Sequence, residues 1–232
     1  MSTPLMTATS VARDEDRIWS LVVLDDSLVA KDWSVLPELY AALLEEDLGI
    51  EIEIDNLGVG GQTCKNLLPN VKKYAYYRTP IQQADIILVS VGGGDLLLAG
   101  ENYFRRDCGG IGGDECLRNA FTEFRSNWDE FLVELTSLAS PTDAQIRVII
   151  PGKFYEQYQD QSEKYEVYVD FQDQFYTYQI ERCEAYGIPF LDLYHFDEPE
   201  GFRGSDHIHV SNEGKAIIAD MLRDLDDEYT QP

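Results

Sequence analysis

The segment GSDHIHVSNEG, residues 204–214, holds two of the three histidines in the chain, with an aspartate beside them. These residue types allow two chemistries. His207 and His209 could bind a metal together with Asp206, because imidazoles and carboxylates are both metal ligands. Alternatively, Asp206 could orient His209, three positions further on, as a catalytic base that works near neutral pH.

The metal alternative needs a further ligand. His195 is the remaining histidine, and Asp192 or Asp197 could join it. Histidines two positions apart suit a metal on a strand, whereas this segment is rich in loop residues. We therefore favour the base and expect neither a metal nor an organic cofactor.

A histidine base needs a nucleophile, and Ser27 in LDDSLV, residues 24–29, is the candidate. A serine hydroxyl attacks well once a base accepts its proton, and a carboxylate on the other ring nitrogen stabilises the imidazolium. The structural alternative is that Ser27 caps the next helix. With Asp206 and His209 available, acyl transfer is the chemistry that we favour.

These residues need a scaffold that brings them together, and the chain shows apolar runs alternating with amphipathic stretches. Since strands alternate with helices, we predict a three-layer α/β/α sandwich with a flavodoxin-like parallel sheet of about five strands. The predicted strands are 18–24, 50–55, 84–91, 145–151 and 188–194. The predicted helices lie near 35–48, 119–139, 165–186 and 212–224, with Gly49 ending the first and Ser211 capping the last.

We expect a single domain over 18–226, a flexible N-terminal segment 1–17 and a flexible tail 227–232. Ligands of open parallel sheets bind beyond the carboxyl ends of the strands. Ser27, the glycine-rich turns NLGVGGQT (56–63) and GGGDLL (92–97), and the Asp206–His209 segment all follow predicted strands. Glycine turns let backbone N–H groups converge on an oxyanion.

Composition limits the partners. Forty-three acidic residues against 18 basic ones give a formal net charge of −25, which disfavours binding to nucleic acid or anionic lipid. No run of eighteen apolar residues is present, so no membrane span is expected. Residues 1–17 lack an apolar signal core, which leaves two alternatives: a cytoplasmic protein, or a secreted one whose signal sequence has been removed.

Cys108 and Cys116 bracket the segment CGGIGGDEC. It is short and flexible enough to close as a disulfide, and two free thiols are the alternative.

Four blocks in order resemble the SGNH/GDSL hydrolases: LDDSLV, NLGVGGQT, VSVGGGDLL and SDHIHVSNEG, over about residues 18–224. The resemblance implies a catalytic triad of Ser27, His209 and Asp206, and an oxyanion hole that includes the N–H groups of Ser27 and Gly61. The loop after the third block is also similar to that of secreted, disulfide-bearing members, which supports the Cys108–Cys116 bridge.

Two positions depart from the family pattern. Asp25 stands where the family usually has glycine, which puts a charge next to Ser27. Gly94 stands where the family has its oxyanion-hole asparagine, and losing one such donor typically costs about 10²- to 10³-fold in rate. The Gly94 backbone, or a water that it admits, is one substitute; an attenuated site is the alternative.

The sequence thus predicts a serine ester hydrolase for small acyl or acetyl esters, with carbohydrate esters among its candidate substrates. We expect Asp26, Trp33 and His207, which flank the catalytic residues, to contact the substrate. The competing hypothesis is a catalytically attenuated binding module that keeps the SGNH scaffold, because Gly94 replaces the asparagine.

Overall fold

The computed structural model describes residues 18–26, 28, 34–105, 108–154, 160–206 and 208–230. Ser27, Trp33, His207 and the predicted flexible segment 1–17 lie outside these residues. Five strands form one parallel sheet in the order β2-β1-β3-β4-β5. The strands are β1 (Trp19–Asp25), β2 (Ile52–Asn56), β3 (Ile86–Ser90), β4 (Gln145–Ile150) and β5 (Phe190–Asp192).

Helices cover both faces of the sheet. They are α1 (Leu36–Leu48), α2 (Cys64–Lys73), α3 (Ala75–Gln83), α4 (Gly93–Arg105), α5 (Glu115–Ala139), α6 (Ser162–Tyr186) and α7 (Asn212–Thr230). The strand order is that of flavodoxin-like sheets. The predicted fold class is confirmed.

The sheet is buried on both faces because its strands are apolar at successive positions. In β1, Leu21 and Val23 pack in a core with α1 and α7, whereas Val22 and Leu24 face a larger core with α2 to α6. All four side chains are fully buried. This continuous apolar run is typical of a central parallel strand.

Three helices were not predicted. Pro69 lies inside α2 and Pro80 inside α3, and proline disfavours a helix interior. The segment GGGDLL, predicted as a turn, mostly belongs to α4, which begins at Gly93. Only Gly92, with a φ of 122°, has the left-handed backbone that glycine favours.

The predicted helix ends are confirmed. Gly49 ends α1 with a φ of 67°, and Ser211 Oγ accepts a hydrogen bond from the Gly214 N–H at 3.0 Å at the start of α7. Helix α7 reaches Thr230, beyond the start of the predicted tail 227–232. None of the described helices is both long and apolar enough to cross a membrane.

Candidate active site

Asp206 and His209 form a hydrogen-bonded pair in the loop between β5 and α7. The distance from His209 Nδ1 to Asp206 Oδ2 is 2.6 Å. The backbone N–H groups of Ile208 and His209 donate to Asp206 Oδ1 at 3.0 and 2.9 Å. Because Nδ1 is engaged by the carboxylate, Nε2 is the ring nitrogen through which His209 can exchange a proton.

The same contacts keep Asp206 ionised. Partial burial acts to raise the pKa of Asp206, but hydrogen bonds from the imidazole and N–H of His209 and the N–H of Ile208 outweigh it. The net result is a pKa well below the ordinary value for aspartate. An ionised Asp206 stabilises an imidazolium when His209 takes up a proton.

The loop that carries this pair is closed at its base. Arg203 and Val210 form an antiparallel bridge, and the Gly204 N–H donates to the His209 carbonyl at 2.8 Å. Arg203 Nη1 donates to the Ile208 carbonyl at 3.0 Å. These contacts fix the backbone on both sides of His209.

Glu198 holds Arg203 in place. Arg203 Nε donates to Glu198 Oε2 at 2.7 Å, and Nη2 donates to Oε1, so the ion pair is bidentate. A Cβ at Gly152, just after β4, would lie 2.6 Å from Arg203 Nη2. The lack of a side chain at Gly152 therefore leaves room for the guanidinium in this position. No sequence pattern predicts this ion pair, although Arg203 is the only basic residue in DEPEGFRGSD, residues 197–206.

A cavity of about 240 Å³ opens beside His209, at the carboxyl ends of the strands. Its polar lining comes from Asp26, Ser90, Glu198, Arg203, Asp206, His209 and Lys215. Its apolar lining comes from Leu28, Leu97, Pro151, Phe154, Leu193, Phe202, Ile208 and Val210. Lys215 is only 8% exposed, and burial lowers its pKa. A mostly apolar cavity with a few polar groups is typical of a small-molecule site.

Asp26 ties the serine-bearing segment to the start of α4. Its Oδ2 accepts a hydrogen bond from the Gly94 N–H at 2.9 Å, and its Oδ1 accepts one from the Leu28 N–H at 3.4 Å. Asp26 is buried and also lines the cavity, whereas Asp25 is fully buried. The Gly94 N–H, which we expected to serve the oxyanion hole, is thus directed at Asp26.

Asp95 connects α4 to the second glycine-rich block. Its Oδ2 accepts a hydrogen bond from the Cys64 N–H, the first residue of α2, at 2.8 Å. Burial raises the pKa of Asp95 to about 7; the Cys64 N–H opposes this shift, and the carboxylates of Asp26 and Glu123 add to it. Asn56 Oδ1 accepts from the Gly58 N–H at 3.0 Å, so both ends of the Gly61 segment are fixed.

A second pair has the same spacing as the first. His195 Nδ1 lies 2.7 Å from Asp192 Oδ2, and the N–H groups of Tyr194 and His195 donate to Asp192 Oδ1. The His195 side chain is 61% exposed, against 36% for His209, and only His209 lines the cavity. Position, rather than pair geometry, distinguishes the two histidines.

Cys108 and Cys116 are bonded in the structure, with an S–S distance of 1.88 Å, and close the glycine-rich segment before α5. Among the described residues, no group of three or more histidine, cysteine, aspartate or glutamate side chains is arranged to hold a metal ion. Ser27, Trp33 and His207 lie outside the described residues, so their predicted roles stay predictions.

The five-stranded parallel sheet and the four blocks at its carboxyl edge define an α/β/α sandwich of the GDSL class. The GDSL-like Lipase/Acylhydrolase family profile matches residues 21–222. The chain belongs to this family, as the resemblance of its four blocks predicted.

Solved structures share the fold at low sequence identity. The lipase Lip_vut3 from goat rumen metagenome is 18% identical, with a TM-score of 0.71 over 89% of this chain and 97% of that one. A variant of Axe2, an acetyl xylan esterase from Geobacillus stearothermophilus, is 17% identical, with a TM-score of 0.63 over 89% and 94%. The psychrotrophic esterase EstA from Pseudoalteromonas sp. is 12% identical, with a TM-score of 0.60 over 90% and 97%. No curated protein matches the chain.

Proposed function

We propose that this protein is a serine ester hydrolase that uses Ser27, His209 and Asp206. The observation that carries the proposal is the Asp206–His209 pair on the wall of a cavity at the carboxyl edge of the sheet. Family membership supports an activity on esters. Ser27 follows β1, whose carboxyl end meets that of β3 at the same edge.

In the proposed reaction, Ser27 Oγ attacks the ester carbonyl carbon while His209 Nε2 accepts the hydroxyl proton. The tetrahedral intermediate collapses, the C–O bond to the alcohol breaks, and His209 returns the proton to the leaving alkoxide. Water then attacks the acyl-enzyme, again with His209 as base, and releases the carboxylic acid. Asp206 holds the imidazole and stabilises its protonated form.

The proposed oxyanion donors are the N–H groups of Ser27 and Gly61. Gly61 is exposed, and among the described residues nothing accepts a hydrogen bond from its N–H. Its φ of 69° is a left-handed conformation that glycine adopts without strain. In this proposal, Gly94 does not donate its own N–H to the oxyanion. Its role is to leave free the space that a side chain would fill.

We propose short acyl esters as substrates. The cavity beside His209 measures about 240 Å³ and falls below the range of drug-sized ligand sites, which begins at about 300 Å³. Its apolar lining suits an acetyl or other short acyl group. The fold similarity to an acetyl xylan esterase makes acetylated carbohydrates the first natural substrates to assay. Asp26, Trp33 and His207 are the proposed contacts outside the triad.

The alternative function is a binding module with an attenuated site. It is favoured by one observation, the absence of a side chain at Gly94 together with the use of its N–H by Asp26. An activated serine reacts with a fluorophosphonate and an inactive one does not, so covalent labelling separates the two functions.

The test is hydrolysis of p-nitrophenyl acetate by the wild type and by Ser27→Ala. We expect the substitution to lower kcat by about 10⁴-fold or more, because the nucleophile is lost, and to abolish fluorophosphonate labelling. Ser126→Ala, at an exposed position on α5, is the matched control and retains activity.

Two other results would contradict the proposal. A folded wild type with neither hydrolysis nor labelling would favour the binding module. Activity that survives in Ser27→Ala would show that the nucleophile is another residue.

A further inference from the structure

A second cavity, of about 550 Å³, adjoins the cavity beside His209. The two cavities have a common wall, which consists of Leu193, Glu198, Phe202 and Arg203. Arg203 Nη1 donates to the Ile208 carbonyl at 3.0 Å, one residue before His209. The common wall therefore lies next to the proposed catalytic base.

The second cavity differs from the first in the chemistry of its lining. The cavity beside His209 is mostly apolar, whereas the second one also has Lys153, Asp197 and Ser205 in its lining. These three residues are exposed, so the cavity is open to solvent. Among the described residues, none forms a hydrogen bond or an ion pair with their side chains. The three side chains are therefore free to hydrogen-bond a ligand.

The charges of the second cavity cancel, although the chain as a whole has a formal net charge of −25. Lys153 and Arg203 contribute two cations, and Asp197 and Glu198 contribute two carboxylates. Arg203 and Glu198 already pair with each other, with side chains 14% and 24% exposed. A lining with balanced charge favours a neutral polar ligand over an anion or a cation.

An aromatic ring adds an apolar surface to this polar lining. Phe196 is half-buried, and its ring packs against the buried ring of Phe202 with the centroids 5.4 Å apart. A pyranose combines hydroxyl groups with apolar C–H faces, so it matches a cavity that offers both kinds of contact. The volume of about 550 Å³ also lies within the range of small-molecule sites, about 300 to 1,000 Å³.

We propose that the second cavity binds the alcohol part of the ester, and that this part is a neutral sugar. This inference rests on the proposed esterase function. The acyl group occupies the cavity beside His209, and the alcohol part extends past Arg203 into the second cavity. There Asp197 accepts hydrogen bonds from the sugar hydroxyls, and Lys153 donates to them.

The test compares the wild type with Asp197→Ala on methyl 6-O-acetyl-glucopyranoside and on cyclohexylmethyl acetate. Both are acetyl esters of a primary alcohol on a six-membered ring, and only the first ring carries hydroxyl groups. We expect the ratio of kcat/KM for the sugar ester to kcat/KM for the cyclohexyl ester to fall about tenfold. The fall should come mainly from KM, because the lost hydrogen bond contributes to substrate binding. Asp55→Ala, exposed on β2 at the opposite edge of the sheet, is the matched control with an unchanged ratio.

A binding measurement tests the cavity without catalysis. Methyl glucopyranoside has no ester bond, and an NMR titration gives its Kd for each protein. We expect the Kd to rise about tenfold in Asp197→Ala and to rise in Lys153→Met as well. Circular dichroism and thermal melting identify a variant that does not fold, and the other variant then carries the comparison.

The outcomes separate this site from the esterase function. Ester hydrolysis with a specificity ratio within about twofold of the wild type in the folded variants would overturn the sugar site and leave the esterase function. Tighter binding of the anionic methyl glucopyranosiduronate than of methyl glucopyranoside would also overturn it. A wild type that cleaves neither ester, but binds methyl glucopyranoside through Asp197, would overturn the esterase function and retain the sugar site.

Discussion

At the residue scale, two histidines carry the same local arrangement and only one faces the cavity. Asp192–His195 and Asp206–His209 share their spacing, the contact between Nδ1 and the carboxylate, and two backbone N–H donors to the aspartate. A carboxylate three positions before a histidine is therefore sufficient to orient the ring. It does not make the histidine catalytic.

This duplication provides a controlled experiment. We expect His209→Asn to lower kcat/KM for p-nitrophenyl acetate by about 10²- to 10⁴-fold, the usual contribution of a general base. His195→Asn should stay within about twofold of the wild type, since its side chain is mostly exposed and does not line the cavity. Equal losses in both variants would show that the two pairs act by stabilising the fold.

Spacing predicts which residues can pair, but not what surrounds them. The Asp206–His209 contact follows from a separation of three residues in a loop, and the sequence predicted it. The Arg203–Glu198 ion pair has no such local pattern, because its position beside the His209 loop depends on groups that the fold brings together.

At the element scale, Asp95 links the first turn of α4 to the N-terminus of α2. Its carboxylate accepts the Cys64 N–H, which has no partner within α2 because it belongs to the first turn. The segment with Gly61 and Gln62 lies just before this contact. The position of the proposed oxyanion hole thus depends on how these two helices meet.

The pKa of Asp95 makes this contact sensitive to pH. Its folded value of about 7 is above the ordinary 3.8, so the folded protein keeps a proton that the unfolded chain has released between these values. The Asp95 contribution to the free energy of unfolding is therefore largest below about pH 4 and is lost as the pH rises to about 7.

Asp95→Asn keeps an acceptor for the Cys64 N–H and cannot ionise. We expect the variant to gain stability relative to the wild type as the pH rises from about 4 to about 7, with a constant difference above that. Urea denaturation across this range measures it. A difference that does not change with pH would contradict the raised pKa.

The elements differ in how well sequence patterns predict them. Strands β1 and β3 and helix α5 have unbroken apolar runs or helical spacing, and they were predicted within a few residues. Helices α2 and α3 contain Pro69 and Pro80, and α4 opens on glycines, so local preferences argue against them. These helices form because the sheet offers an apolar face that they cover.

At the scale of the whole molecule, charge is the dominant property. The formal net charge is −25 on 232 residues, so the ionised acidic side chains repel one another in the compact state. We expect the melting temperature to rise when NaCl increases from about 0.02 M to about 0.5 M, because the Debye length falls well below 10 Å. The increase should shrink near pH 4, where many carboxylates are protonated. A melting temperature that is independent of salt would show that local ion pairs already balance the repulsion.

The order of the catalytic residues along the chain has a consequence for biosynthesis. Ser27 follows β1, whereas His209 precedes α7, and α7 shares a hydrophobic core with α1. A nascent chain thus carries its nucleophile without the base that activates it until the residues between Ser27 and His209 have been synthesised. Under the proposed mechanism, hydrolysis starts only when the loop before α7 has brought His209 to Ser27, so the appearance of esterase activity reports this step of folding.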